Sequence, residues 1–127
     1  MKKLLIICLL AISSFVANAQ VSFSCTHREI CYWNEKSQEF QECYKYKESS
    51  LFEFNKSETM FYHTIENMTS TYYVKSKEYD SLKNIWTYNV VSDAGNYYIC
   101  FVHPDANLIK MLGMDNVLSM FYIKSAF

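Results

Sequence analysis

From Val21 onward the chain is a succession of short segments rich in Tyr, Phe, Trp, Val, Ile and Thr, separated by clusters of Asn, Asp, Ser and Lys. The first set suits a pleated, half-buried surface, and the second opens tight turns. No stretch of ten or more residues keeps a helical period. The nearest is the polar segment 77–84 (KEYDSLKN), long enough for one turn of helix and too short to anchor more. Ten runs read as strands: 21–26, 29–33, 40–47, 50–54, 59–65, 71–76, 85–91, 97–103, 108–112 and 117–124. The pattern predicts an all-β chain, an antiparallel meander of about 8–10 short strands. It closes as a small lipocalin-like barrel or folds as a β-sandwich.

Turn chemistry fixes one hairpin most firmly. In Ser92-Asp93-Ala94-Gly95-Asn96 an Asp opens a type I turn and Gly95 supplies a residue able to take φ > 0. A three-residue loop sets Trp86, Tyr88 and Val90 against Val102, Cys100 and Tyr98. A four-residue loop sets them against Phe101, Ile99 and Tyr97. Asn55–Glu58, Pro104–Asn107 and Gly113–Asn116 read as further tight turns. With only 2 glycines, the turns fall mainly to Asn and Asp, and Gly95 and Gly113 are assigned to two tight hairpins.

The first nineteen residues have a different character. Lys2-Lys3, the apolar run LLIICLLAI and the small residues Ala17 and Ala19 are the parts of a secretory signal peptide, cut before Gln20. The apolar run is short for a membrane span, and Cys8 lies inside it rather than at a lipoprotein cleavage point. Residues 1–19 are thus expected to be a signal peptide and residues 20–127 a single β domain, secreted or periplasmic. No membrane span is expected in the mature chain. A formal charge of −1 leaves no electrostatic footprint for nucleic acid.

Removing the leader turns five cysteines into four, Cys25, Cys31, Cys43 and Cys100, an even set suited to two disulfides in an oxidising compartment. A hairpin turning near Ser37 places Cys31 opposite Cys43, which leaves Cys25 to pair with Cys100. The rival use of these residues is a metal site from Cys25, His27, Cys31 and Cys43. That spacing lacks the close Cys-x₂–₄-Cys knuckle of structural zinc.

The residues available for catalysis form no motif. His27, His63 and His103 are scattered. His63 alternates with Phe61 and Ile65, as a partly buried strand residue does. Glu39/Glu42, Glu53/Glu58 and Glu78/Asp80 are carboxylate pairs that solvated turns and hairpin arms explain. Nucleophile-elbow, zinc-protease and phosphate-loop motifs are missing from the sequence, and no cofactor is expected. Asn55-Lys56-Ser57 and Asn67-Met68-Thr69 match the short N-glycosylation pattern.

Tyrosine is the remaining excess. Tyr72-Tyr73 and Tyr97-Tyr98 place rings on both faces of their strands, and the outer rings offer a candidate binding surface for a glycan or a protein. The Asn-, Lys-, Tyr- and Ile-rich, Gly-poor usage resembles that of exported β-rich proteins of Bacteroidota-type bacteria. Size, export and disulfide use are also similar to those of the bacterial C-type lysozyme inhibitors. Their Ser-Gly-x-x-Tyr loop is not matched by Ser92-Asp93-Ala94-Gly95-Asn96-Tyr97, so no inhibitory residue carries over. The leading expectation is a non-enzymatic binding or interaction module for a small apolar ligand, a glycan or a protein. Alternatives are an inhibitor of a secreted hydrolase and a small hydrolase using Glu or His residues. A ligand-binding barrel predicts an enclosed apolar cavity of at least about 300 Å³. An inhibitor predicts a protruding loop near residues 92–97, and an enzyme predicts histidines and glutamates converging in one cleft.

Overall fold

The computed structural model describes residues 21–127; the signal-peptide expectation for residues 1–19, with Ala17, Ala19 and Gln20, lies outside the described residues. Eight strands follow one another: β1 (Val21–Asn34), β2 (Glu39–Phe54), β3 (Met60–Ile65), β4 (Met68–Asp80), β5 (Ile85–Ser92), β6 (Tyr97–His103), β7 (Leu108–Gly113) and β8 (Val117–Ala126). Each pairs antiparallel with the next, and β8 returns to pair with β1, so the meander closes as a barrel. That closure rules out the sandwich alternative.

Ten expected runs become eight strands because two expected breaks, at 27–28 and 48–49, lie at one bulge, and a second bulge falls inside the expected runs 29–33 and 40–47. Between the pairs Cys25↔Ser50 and His27↔Lys47, β2 spends two residues, Glu48 and Ser49, against Thr26 alone. Between Ile30↔Tyr44 and Tyr32↔Gln41 it spends Glu42 and Cys43 against Cys31, with Glu42 at φ 53°. A bulge shifts register by one residue while the strand continues. Segment 77–84 likewise contains no helix. Residues 77–80 extend β4 against β5, and the Asp80 carboxylate accepts the Leu82 and Lys83 amides to close the turn.

The β5–β6 hairpin takes the three-residue register, pairing Trp86↔Val102, Tyr88↔Cys100 and Val90↔Tyr98, with Gly95 at φ 85°. Gly113 has a different use from the one expected. It ends β7 with no positive φ, and Asn116 at φ 62° supplies the left-handed residue of that turn. A side chain at Gly113 would meet the Asp115 carboxylate and the Tyr98 ring, so it is space that glycine provides there.

Cross-strand partners share a face, and the inward faces fill the barrel. Phe52, Phe54, Phe61, Tyr88, Val90 and Phe121 form the centre of a continuous buried cluster. Phe54 meets Phe61 at 4.7 Å and Phe52 meets Phe121 at 5.0 Å between ring centroids, so aromatic packing carries much of the core. At the end of the barrel away from the β3–β4 turn, Glu58 accepts the Tyr88 hydroxyl at 2.9 Å and pairs with Lys77 at 3.1 Å.

The β1–β2 disulfide is formed. The Glu42 bulge brings Cys31 and Cys43 opposite each other, with Cα atoms 4.1 Å apart. The expected Cys25–Cys100 pairing is not: both are buried free thiols. Cys25 lies on β1 opposite Ser50, and Cys100 lies at the middle of β6 between Tyr88 and Met111, with β7 and β8 intervening around the wall. Burial pushes the Cys25 thiol up to about 11 and Cys100 further in the same direction, leaving both protonated. No helix among the described residues is long and apolar enough to cross a membrane.

Candidate functional site

An up-and-down meander sends its alternate turns to the same end. The β1–β2, β3–β4, β5–β6 and β7–β8 turns therefore surround one mouth of the barrel. Only residues 50–54 of β2 pair with β3, whereas its earlier residues pair with β1 alone. The β1–β2 ribbon consequently rises past β3 at this mouth, clamped by Cys31–Cys43. Below it lies a cavity of about 240 Å³ lined by residues including Arg28, His63, Tyr72, Tyr98, Asp115 and Ser119.

Arg28 is placed inward by its partners, Phe121 on β8 and Tyr46 on β2. Its guanidinium lies over the Phe121 ring at 5.1 Å. It donates from Nη2 to Ser119 Oγ at 3.3 Å and from Nη1 to Glu48 Oε1 at 3.5 Å. Both bonds are long for a group of this donor strength. Its Nε is buried without a hydrogen-bond partner among the described residues.

His63 projects from β3 and is 6% exposed. Its ring stacks on Phe52 at 4.0 Å and meets the edge of Phe121 at 4.7 Å, and its Nε2 is also unpartnered. Burial first, and then the nearby Arg28 charge, lower its pKa to about 3, so the imidazole is neutral at neutral pH. Tyr72 and Tyr98 close the opposite wall with rings 5.6 Å apart. Burial is the main cause that raises Tyr72 to about 12 and keeps its hydroxyl protonated. Asp115, at the β7–β8 turn, marks the rim and accepts the Val117 amide at 3.3 Å.

The candidate tyrosines divide as strand alternation requires. Tyr72 and Tyr98 line the mouth. Tyr73 and Tyr97 point outward, each opposite Val91, and form an exposed row across β4, β5 and β6. A second tyrosine group was not singled out from the sequence. Tyr46 pairs with Arg28 and Tyr44 with Ile30, while Tyr32 meets Tyr44 at 6.4 Å, so all three share the ribbon face that carries Arg28. Arg28 itself escaped notice because residues 27–28 read as a break between strands. Joining them makes Arg28 an inward position of one continuous β1.

The expected enclosed apolar cavity is absent among the described residues: aromatic side chains occupy the interior, and the hollow that remains is smaller, open and partly polar. The histidines do not converge. His63 lines the mouth, His27 lies on the face of β1 opposite to Arg28, and His103 lines a separate groove with Phe101 and Lys110. None of the six candidate carboxylates lines the mouth cavity. The four-residue metal grouping is likewise undone, since Cys31 and Cys43 are spent on their disulfide. The 92–97 loop is tied down, with the Asp93 amide donating to Thr71 O at 2.8 Å. What protrudes is the β1–β2 ribbon. No protein-family model, curated protein or solved structure matches the chain.

Proposed function

We propose that this is a small exported, non-enzymatic binding protein that takes a small ligand in the mouth of its barrel. One observation carries the proposal: Arg28 and His63, each with an unpartnered buried nitrogen, stand among aromatic rings at the open end of an otherwise filled barrel. Barrel mouths with a few polar groups in an apolar wall are recurrent ligand sites. Buried polar atoms left unpaired cost free energy, and a ligand that meets them recovers it. The disulfide and the N-terminal signal pattern support a secreted or periplasmic location.

The test is a thermal-shift screen of small molecules and glycans on the wild type and on Ser70→Trp, whose indole would fill the cavity from β4. Ligands that raise the wild-type melting temperature should leave the variant unchanged. Ligands that stabilise both equally would place binding elsewhere and overturn the proposal. The hydrolase-inhibitor alternative draws on one observation, the disulfide-clamped ribbon with Tyr32, Tyr44 and Tyr46 partly exposed. It predicts that Tyr44→Ala weakens capture of a target enzyme while leaving small-ligand binding intact.

A further inference from the structure

We infer that the ligand is a small aromatic or unsaturated monocarboxylate that enters carboxylate first and docks on the Arg28 guanidinium. This inference rests on the mouth being the binding site. A guanidinium offers five N–H donors in a planar fork that matches a carboxylate. Here one donor goes to Ser119 and one to Glu48, both at long range, and Nε has no partner among the described residues. The guanidinium therefore keeps unused donor capacity at the wall of the cavity.

The charge count limits the ligand to one negative charge. Among the described residues Arg28 is the only Lys or Arg lining the cavity, and His63 adds no charge while its ring is neutral. Asp115 stands at the rim and Glu48 already lies against the guanidinium. A dianion would be neutralised by one cation only and would bring its second charge toward these carboxylates. A monocarboxylate shares the guanidinium with Glu48, which approaches it from outside the cavity, so Glu48 competes with it for the Arg28 charge.

Size and wall chemistry set the rest. A volume of about 240 Å³ is the space of about eight waters, enough for a molecule of on the order of ten non-hydrogen atoms. Its body would meet the rings of Tyr72, Tyr98 and Phe121. Tyr46, on the same ribbon face as Arg28, continues the aromatic wall outward.

Phenylacetate and its neutral isostere phenylacetamide separate charge from shape, with calorimetric titration as the readout. Phenylacetate should bind roughly tenfold tighter or more than the amide, a gap of about 1.4 kcal/mol. Glu48→Gln should tighten phenylacetate and leave the amide unchanged. This substitution removes only one end of a 3.5 Å pair, so it tests the fork without endangering the fold. Arg28→Gln should erase the preference, because it removes the only cation among the described residues lining the cavity. Equal affinity for the two probes, or no binding of either while other ligands bind in a Ser70→Trp-sensitive way, overturns the carboxylate assignment alone. Phenylacetate binding that survives Ser70→Trp, or a screen in which nothing binds, overturns the mouth as the site as well.

Discussion

Lowering the pH should destabilise this barrel through His63 in a way that can be isolated. The imidazole is almost fully enclosed between Phe52 and Phe121, and burial with the Arg28 charge depresses its pKa from 6.5 to about 3. In the unfolded chain it titrates at its ordinary value, so below pH 6.5 the unfolded state binds a proton that the folded state refuses. Stability then falls by about 1.4 kcal/mol per pH unit until the folded pKa is reached. Between pH 7 and pH 5 the loss is about 2 kcal/mol. At pH 5 this figure depends mainly on the unfolded pKa, so it holds for any folded value below about 4. The assay is urea unfolding followed by Trp33 and Trp86 fluorescence at both pH values, for the wild type and for His63→Phe. Phe keeps a flat ring against Phe52 and cannot titrate. With a slope of about 2 kcal/mol per molar, the wild type should lose about 1 M more in midpoint than the variant. Equal losses would show that His63 is not held neutral by burial, and would refute the electrostatic description of the mouth.

Four further outcomes follow from the fold. Phe52→Ala empties the centre of the aromatic cluster and should cost about 3–5 kcal/mol in denaturant unfolding. In the chain from Gln20 onward, thiol titration should find no reactive cysteine in the native protein and two after denaturation, Cys25 and Cys100. Removing Cys31–Cys43 should cost about 3 kcal/mol, from its sequence separation of 12. Gly113→Ala should change stability by less than about 1 kcal/mol, because the added methyl group meets the free end of the exposed Asp115 side chain, which can swing aside; thermal melting checks this.

Much of the architecture could be read from residue types, and the failures share a physical cause. The β5–β6 register followed from the Asp93 and Gly95 chemistry, and the Cys31–Cys43 pairing from the symmetry of its hairpin about Ser37. Bulges leave no comparable mark. The bulge opposite Thr26 sits among polar residues, so continuous β1 and β2 read as four segments, and the extra residue opposite Cys31 fell inside two expected runs without a sign in composition or hydropathy. The same error hid Arg28. A charged residue in an apparent break looks like a solvated turn, and its inward direction emerges only when Phe121 and Tyr46 are known as its partners. The Cys25–Cys100 pairing failed for a different reason. Elimination among four cysteines carries no geometry, and closure of the barrel set the two on β1 and β6. Tyr72 and Tyr98 were found because tyrosine doublets must split between faces, although their inward rings, rather than the outer pair, line the cavity.

The central claim for this barrel is that Arg28 meets a ligand in its mouth. The direct measurement is an NMR titration of the ¹⁵N-labelled protein with phenylacetate, following the Arg28 Nε–H resonance. That proton is the buried donor left without a partner among the described residues. The account predicts a saturable shift of this resonance, accompanied by the ring resonances of His63 and Tyr98. An Arg28 resonance that stays fixed while amides elsewhere on the barrel shift would contradict it.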